Sequence, residues 1–357
     1  MGLIIRVLMK RRMAWVTEAD TLEIRESGLP ELGPKDVLIR TAYSAICGSD
    51  MHLYHNRHPF VKAPSTIGHE LSGTVAAVGQ DVSSVQVGDA VVPEPILVCG
   101  GCRQCLQGNY HMCEHVSYGY RKGQAGFGDY YICEERWAHK IPQGVALDSA
   151  ALTEPLSVAI HAAEKAGDLF GKTVAVVGAG AIGALCAAVC HTKGAGRIFV
   201  VDANPFKLEL ASRGIGEPVC PSATLDPVQV ILEKTEGRGA EVVLECTGAE
   251  TRIKQAFAMT AKLGTLVQVG IPQAPLSDFD YAKIISREIT VKGAQGYCFN
   301  FDQALSMLAS GFDAGRYITV RYPFEKIGEA FALMAQRGIP QMKALITYET
   351  EGEDIHD

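Results

Sequence analysis

Short apolar runs broken by turn residues fill the chain up to about residue 150. Asp36–Arg40, Gly73–Gly79 and Val87–Val92 are rich in β-branched or small apolar residues and are bounded by Gly, Asp or Pro, the punctuation of short strands. They predict an irregular, barrel-like β region whose first strand lies near Met1–Arg12. From about Gly171 the texture changes. Strand-like Thr173–Val177, Arg197–Val201, Glu241–Cys246, Thr265–Val269 and Ile289–Lys292 alternate with helix-like segments such as Ala181–Lys193 and Pro205–Ser212. Such alternation predicts an α/β, doubly wound parallel sheet. After Gly293 come helical Asp302–Ser310 and Ile327–Arg337 and an apolar run at Lys343–Tyr348, a tail too short to form a domain of its own.

Composition narrows the class. The chain has 357 residues, 47 % hydrophobic and 20 % charged, enough for two domains at about 150 residues each. These fractions exclude a disordered, collagen-like or coiled-coil chain. Lys and Arg number 33 against 40 Asp and Glu, a net charge of −7, so the basic footprint of a nucleic-acid binder is missing. Small-molecule chemistry fits better. Eleven cysteines without an Asn-x-Ser/Thr sequon argue against a secreted disulfide framework, and the N-terminus lacks the cleavage pattern of a signal peptide. A cytoplasmic protein with reduced or metal-bound thiols is expected. Thr173–Thr192 carries no formal charge and is long enough in principle to cross a bilayer, but its β-branched start and the glycines at 178, 180 and 183 break any such helix.

Three constellations carry chemistry. Cys99, Cys102, Cys105 and Cys113 place four thiols in a short loop, the donor set of a closed tetrahedral zinc site; a bacterial ferredoxin cluster would need its fourth Cys sooner and a following Pro, where this chain has Glu114. Gly178, Gly180, Ile182 and Gly183 follow a strand and open an alanine-rich helix, and Asp202 ends the next strand. Together they form the fingerprint of a dinucleotide site, in which glycines admit the pyrophosphate to a helix N-terminus. Cys47, Ser49, Asp50 and His52, with His69 and Glu70, supply thiolate, imidazole and carboxylate, the mixed donors of a catalytic zinc. Nothing in the spacing brings Cys47 beside His69, however, and Ser49 could instead cap a helix starting at Asp50. Glu154, before Pro155, reads equally as a helix N-terminal charge or a site carboxylate. Cys186 and Cys190 read as small core residues of the alanine-rich helix.

Taken in order, Cys47–Asp50, Gly68–Glu70, the four-cysteine lobe, Glu154–His161, Gly178–Gly183, Glu245–Glu250 and Arg287–Gly293 with Tyr297 and Cys298 resemble the zinc-containing medium-chain dehydrogenase/reductase family, and within it the sorbitol (polyol) dehydrogenase branch. The resemblance implies a GroES-like, mainly β catalytic domain at 1–156 and 294–357 around an inserted Rossmann NAD-binding domain at 157–293. It implies about two zinc ions per chain, one held by the cysteine lobe and one catalytic, with Cys47 and His69 as ligands and Glu70 or Glu154 as alternative third donors. Ser49 would pass a proton towards His52, Lys207 would reach the cofactor ribose, and Thr247, Val269, Gly270 and Ile271 would border the nicotinamide. Asp202 would favour NAD over NADP, since a carboxylate repels a 2′-phosphate.

The expected reaction is oxidation of a secondary alcohol to a ketone, zinc lowering the pKa of the substrate hydroxyl. The segments that the resemblance places near the cleft contain Tyr54, Tyr118, Tyr120, Arg121, Gln295 and Tyr297, which would suit a polyol, cyclitol or sugar acid better than a simple alcohol. Gly296 stands where sorbitol enzymes carry an arginine. The alternatives are an L-threonine 3-dehydrogenase-like enzyme and a catalytically silent NAD-binding paralogue. A homodimer or homotetramer is expected, with neither nucleic acid nor membrane as partner.

Overall fold

The computed structural model describes residues 10–58, 61–118, 124–272, 274–336 and 338–348. Two compact units emerge. One comprises the described residues up to Glu154 and from Phe301 onward, the other Pro155–Asn300. The second unit thus keeps residues 294–300, which the sequence assigned to the first.

The first unit is built on a mixed sheet of seven strands. Along it run Ala138–Lys140, Ala90–Pro93, Glu70–Val78, Asp36–Ala45, Lys343–Thr347 and Ile318–Pro323, with Tyr130–Glu134 also paired to Asp36–Ala45. The strand expected over Val87–Val92 is shorter, because Gly88 adopts φ +94° and turns the chain so that the Val75 N–H donates to the Asp89 carbonyl and the Gly88 N–H to the Val75 carbonyl. A separate three-stranded antiparallel sheet joins Lys10–Glu18 to Thr21–Gly28 on one side and to Ser65–Thr66 on the other. Phe127, Phe324, Phe331 and Ile346, none more than 1 % exposed, form the centre of the core between the sheet and the helix Ile327–Ala335. The C-terminal strand is therefore structural: Leu345 and Ile346 pair with Ala45 and Ser44.

The second unit is an all-parallel sheet in the order Glu217–Val219, Arg197–Val201, Thr173–Val177, Ala240–Glu245, Thr260–Gln268 and Thr290–Gly293. In that order the chain reverses direction between Thr173–Val177 and Ala240–Glu245, the switch point at which doubly wound sheets bind ligands. Register aligns the strand ends there, Val177 with Val201 and Glu245 and Glu245 with Gln268. Its core is Val177, Phe199, Ile231, Val243 and Leu266. The helices Pro227–Lys234 and Glu250–Met259 complete the layers; the first opens on Asp226, whose carboxylate accepts the Val228 N–H at 3.0 Å, an N-cap that satisfies an otherwise orphaned donor.

Candidate functional site

Sheet pairing, which linear spacing cannot reveal, brings the mixed donors together. Cys47 follows Asp36–Ala45 and His69 precedes Glu70–Val78, and these neighbours pair antiparallel with Ala45 opposite Glu70. Cys47, His69 and Glu70 consequently present a sulfur, an imidazole nitrogen and a carboxylate oxygen within 4.8 Å of one another. Gly68 makes the approach possible: it has φ +97°, and a Cβ there would lie 2.5 Å from the Phe127 ring. The helix Gly48–Tyr54 starts from Cys47 as its N-cap rather than from Ser49, which corrects the capping role considered for Ser49. Asp50, buried at 3 %, accepts the Cys47 N–H at 2.8 Å and faces His69 Nδ1 at 3.5 Å.

The electrostatics of this cluster favour a cation. Burial would lower the His69 imidazole, yet Asp50 and Cys47 hold it well above its ordinary range. Burial pushes the Glu154 carboxyl up to about 7, with Glu70 and Asp50 adding to the rise and His69 and Lys343 opposing it. The soft and hard donors present fit zinc, whose catalytic sites combine such ligands with one open position. Glu154 lies in the first turn of the helix Thr153–Ala166 and is not part of the converging trio.

Lys343 is the residue that sequence reasoning missed. Its ammonium donates to both oxygens of Glu70 and, at 3.0 Å, to the Ile46 carbonyl beside Cys47. The sole linear signal was a lysine opening an otherwise apolar strand. Ser49 lines a small cavity with Asp50, Leu53, His58 and Ile67, whereas His52 is exposed in the last turn of its helix.

The four lobe cysteines converge in the same way, their sulfurs within 4.8 Å of one another. Backbone N–H groups are aimed at the sulfurs: Cys102 N–H at Cys99 Sγ, 3.3 Å, and His115 N–H at Cys113 Sγ, 3.3 Å. N–H groups of Cys105 and Glu114 lower the Cys102 thiol to about 6, while burial and the neighbouring sulfurs raise Cys105. Four crowded sulfurs with donors already in place fit a tetrahedral metal. Behind the lobe Tyr110 donates to buried Glu94 at 2.6 Å, and Glu94 faces His139 at 3.2 Å.

In the second unit Gly178 has φ +104°, and a Cβ on Gly183 would fall 1.8 Å from the Gly178 carbonyl, so helix and turn touch through backbone alone. Gly180 opens the helix Ala181–Thr192 with nothing within 4 Å of its notional Cβ, leaving room for a pyrophosphate over the helix N-terminus. Asp202 accepts the N–H groups of Ala179 and Asn204, each at 2.7 Å. Lys207 sits in the first turn of the next helix, its N–H capped by Asn204 at 3.1 Å. A cleft of about 640 Å³ opens beside this face, lined by Ser222, Asp226, Arg252 and Gln255 among others. Thr247 and Gly248 lie against Gly270 and Ile271, a Cβ on Gly270 meeting the Gly248 nitrogen at 2.2 Å, and Val269 N–H bonds the Glu245 carbonyl at 2.8 Å. Cys186 and Cys190 are fully buried.

The polar residues expected around substrate divide. Tyr54 is 8 % exposed and packs on Phe331. Tyr297 is buried at 2 % and Gln295 is exposed. Gly296 adopts φ +57°, a left-handed conformation that an arginine would enter only with strain. The Tyr118 side chain, Tyr120 and Arg121 lie outside the described residues.

Residues 33–143 match the model of the alcohol dehydrogenase GroES-like domain and residues 181–310 that of the zinc-binding dehydrogenase. A probable D-xylulose reductase A of Aspergillus clavatus is 34 % identical over 90 % of this chain and 93 % of its own length. A sorbitol dehydrogenase of Halalkalibacterium halodurans is 34 % identical over 86 % and 91 %, and an L-threonine 3-dehydrogenase of Symbiobacterium thermophilum 33 % identical over 90 % and 95 %. Among solved structures, 2R,3R-butanediol dehydrogenase from Bacillus subtilis superposes with a TM-score of 0.87 at 31 % identity, covering 94 % of this chain and 99 % of that one. L-idonate 5-dehydrogenase from Escherichia coli does so with 0.86 at 27 %, covering 95 % and 98 %. With its GroES-like and Rossmann units and its two thiol-bearing metal clusters, the chain belongs to the zinc-containing medium-chain dehydrogenases, in the polyol dehydrogenase branch.

Proposed function

We propose that this enzyme uses NAD to oxidise one secondary hydroxyl of a polyol, cyclitol or sugar acid to a ketone. The observation that carries the reading is the convergence of Cys47, His69 and Glu70 within 4.8 Å in a chain whose relatives include a xylulose reductase and a sorbitol dehydrogenase. Cys47, His69 and a carboxylate hold the catalytic zinc, and Cys99, Cys102, Cys105 and Cys113 hold the structural one. When bound, zinc supplies a Lewis acid for the substrate hydroxyl and the nicotinamide a hydride acceptor. Asp50 faces Nδ1 of His69 at 3.5 Å, where a carboxylate commonly orients a metal-bound imidazole. The Ser49 hydroxyl takes the substrate proton and passes it towards His52. Gly178, Gly180, Ile182 and Gly183 cradle the pyrophosphate, Asp202 and Lys207 face the adenosine ribose, and Thr247, Val269, Gly270 and Ile271 border the nicotinamide.

A panel of polyols, cyclitols and sugar acids followed by NADH absorbance tests the substrate class. A site built for several hydroxyls penalises analogues lacking them by factors of about 10⁴, so 2-propanol or 2-butanol giving the highest kcat/KM overturns it. The L-threonine 3-dehydrogenase relative supports a second reading, an amino-alcohol substrate; L-threonine outperforming every polyol in the same panel would establish it. Cys47→Ala and His69→Ala are expected to abolish turnover and release one zinc while NAD still binds.

We also propose a homodimer or homotetramer. All four residues of the sheet-edge strand Thr290–Gly293 are exposed, an unpaired edge that natural proteins generally cover. Light scattering showing a monomer at micromolar concentration would refute this. No helix among the described residues is long and apolar enough to cross a membrane.

A further inference from the structure

Glu245 ends the strand Ala240–Glu245 and is wholly buried. One carboxylate oxygen accepts the Thr247 N–H at 2.9 Å and the Thr247 hydroxyl. The other accepts the Gly248 N–H at 2.9 Å and the Gln268 amide at 2.6 Å. The Thr247 oxygen in turn receives the Ala249 N–H at 3.0 Å, which leaves its own proton for Glu245. Four donors thus point at two oxygens, the pattern of a carboxylate rather than an acid. Every donor is neutral, and among the described residues no Lys, Arg or His pairs with this group. The Glu245 carbonyl also takes the N–H groups of Val269 and Gly270, each at 2.8 Å, so one residue ties the loops after two adjacent strands. Those loops meet through backbone: a Cβ on Gly248 would lie 2.3 Å from the Ile271 carbonyl.

Buried charges are ordinarily neutralised by a paired ion. Here hydrogen bonds from neutral dipoles stabilise the carboxylate and leave its field uncancelled. Its position, at the carboxyl ends of the strands beyond the switch point, is where the second half of a dinucleotide lies.

We propose that Glu245 is a positioning residue of the dinucleotide site with an electrostatic function: it clamps the two loops that border the nicotinamide, and its unpaired charge favours the oxidised, cationic ring over the neutral reduced one. The inference rests on the NAD reading given above. Glu245→Gln removes the charge and keeps the shape, whereas Glu245→Asp keeps the charge and loosens the clamp. Dissociation constants for NAD⁺ by calorimetry and for NADH by fluorescence are measured on the zinc-loaded enzyme without substrate. In Glu245→Gln the affinity for NAD⁺ is expected to fall about tenfold further than that for NADH, the effect of a unit charge about 12 Å away at an effective dielectric near 20. In Glu245→Asp both affinities fall by a common factor. Equal losses for the two forms in Glu245→Gln would overturn the electrostatic claim. If Glu245→Gln fails to fold, Gln268→Lys sets a cation beside the carboxylate and must shift the ratio in the same direction; an unchanged ratio there overturns the proposal. A wild-type protein that binds neither NAD⁺ nor NADH would instead sink the dinucleotide reading itself.

Discussion

Lys343 and Glu70 form a closed ion pair, their side chains 4 % and 0 % exposed, and Glu70 also converges with Cys47 and His69. Burial alone would lower the Lys343 ammonium, but Glu70, Cys47 and Glu154 raise it. Both oxygens of Glu70 accept from the Lys343 ammonium, so the carboxylate that converges with Cys47 and His69 is held by an ion pair. Removing one member of a buried pair strands the other, at about 3–5 kcal/mol. Lys343→Met is expected to lose that much stability in urea unfolding, and Lys343→Met with Glu70→Gln to recover most of it, since the two positions are coupled. An additive double variant would show that the pair is not a unit.

Cys102→Ser should release the structural zinc alone. Metal analysis is expected to fall from about two zinc ions per chain to about one, with a lower unfolding temperature, because a structural zinc contributes folding energy outright. Two zinc ions retained in the variant would refute the four-sulfur site.

His139 couples stability to pH. Burial lowers its pKa, but Glu94 and Asp302 outweigh that and raise it, with Asp302 at 3.0 Å from Nδ1. A group whose pKa is raised on folding stabilises the protein fully below its unfolded value, about 6.5, and loses that contribution as pH rises through the folded value. The unfolding temperature of the wild type should therefore fall from pH 6.5 upward, and His139→Gln should flatten that slope. A slope unchanged in the variant would assign the effect elsewhere.

Asp202 has a structural and a proposed role. Its carboxylate locks Ala179 and Asn204 through their N–H groups, and in the proposed cofactor site it would present negative charge to a 2′-phosphate. Asp202→Ser is expected to narrow the preference for NAD over NADP by 10-fold or more, by about 1.4 kcal/mol per factor of ten, while also weakening NAD through the loosened turn. A kcat/KM ratio that does not move would remove Asp202 from cofactor selection.

The parallel unit was the more legible half. Thr173–Val177, Arg197–Val201 and Pro205–Ser212 stand as the apolar pattern drew them, because buried parallel strands are continuous apolar runs and their helices carry turn residues at both ends. The mixed sheet was read only in part. Its register is set by pairings such as Ala45 with Glu70 and Leu345 with Ala45, contacts between distant segments that local periodicity does not encode. The same limit hid Lys343. Residue types announced the metal chemistry; long-range pairing decided which residues meet.

The strand that carries Lys343 has a consequence for biosynthesis. Lys343 lies 273 positions after Glu70, and at about 5–20 residues per second a ribosome takes roughly 15–50 s to cover that interval. Throughout it the nascent chain displays Cys47, His69 and Glu70 with the Tyr43–Ala45 edge still unpaired, while the contiguous unit 155–300 can close on itself. The Glu70–Lys343 ion pair and the strand pairing at Ser44 and Ala45 are therefore completed only after the unit 155–300 has been made, and until then the waiting strand edge is open to non-native pairing.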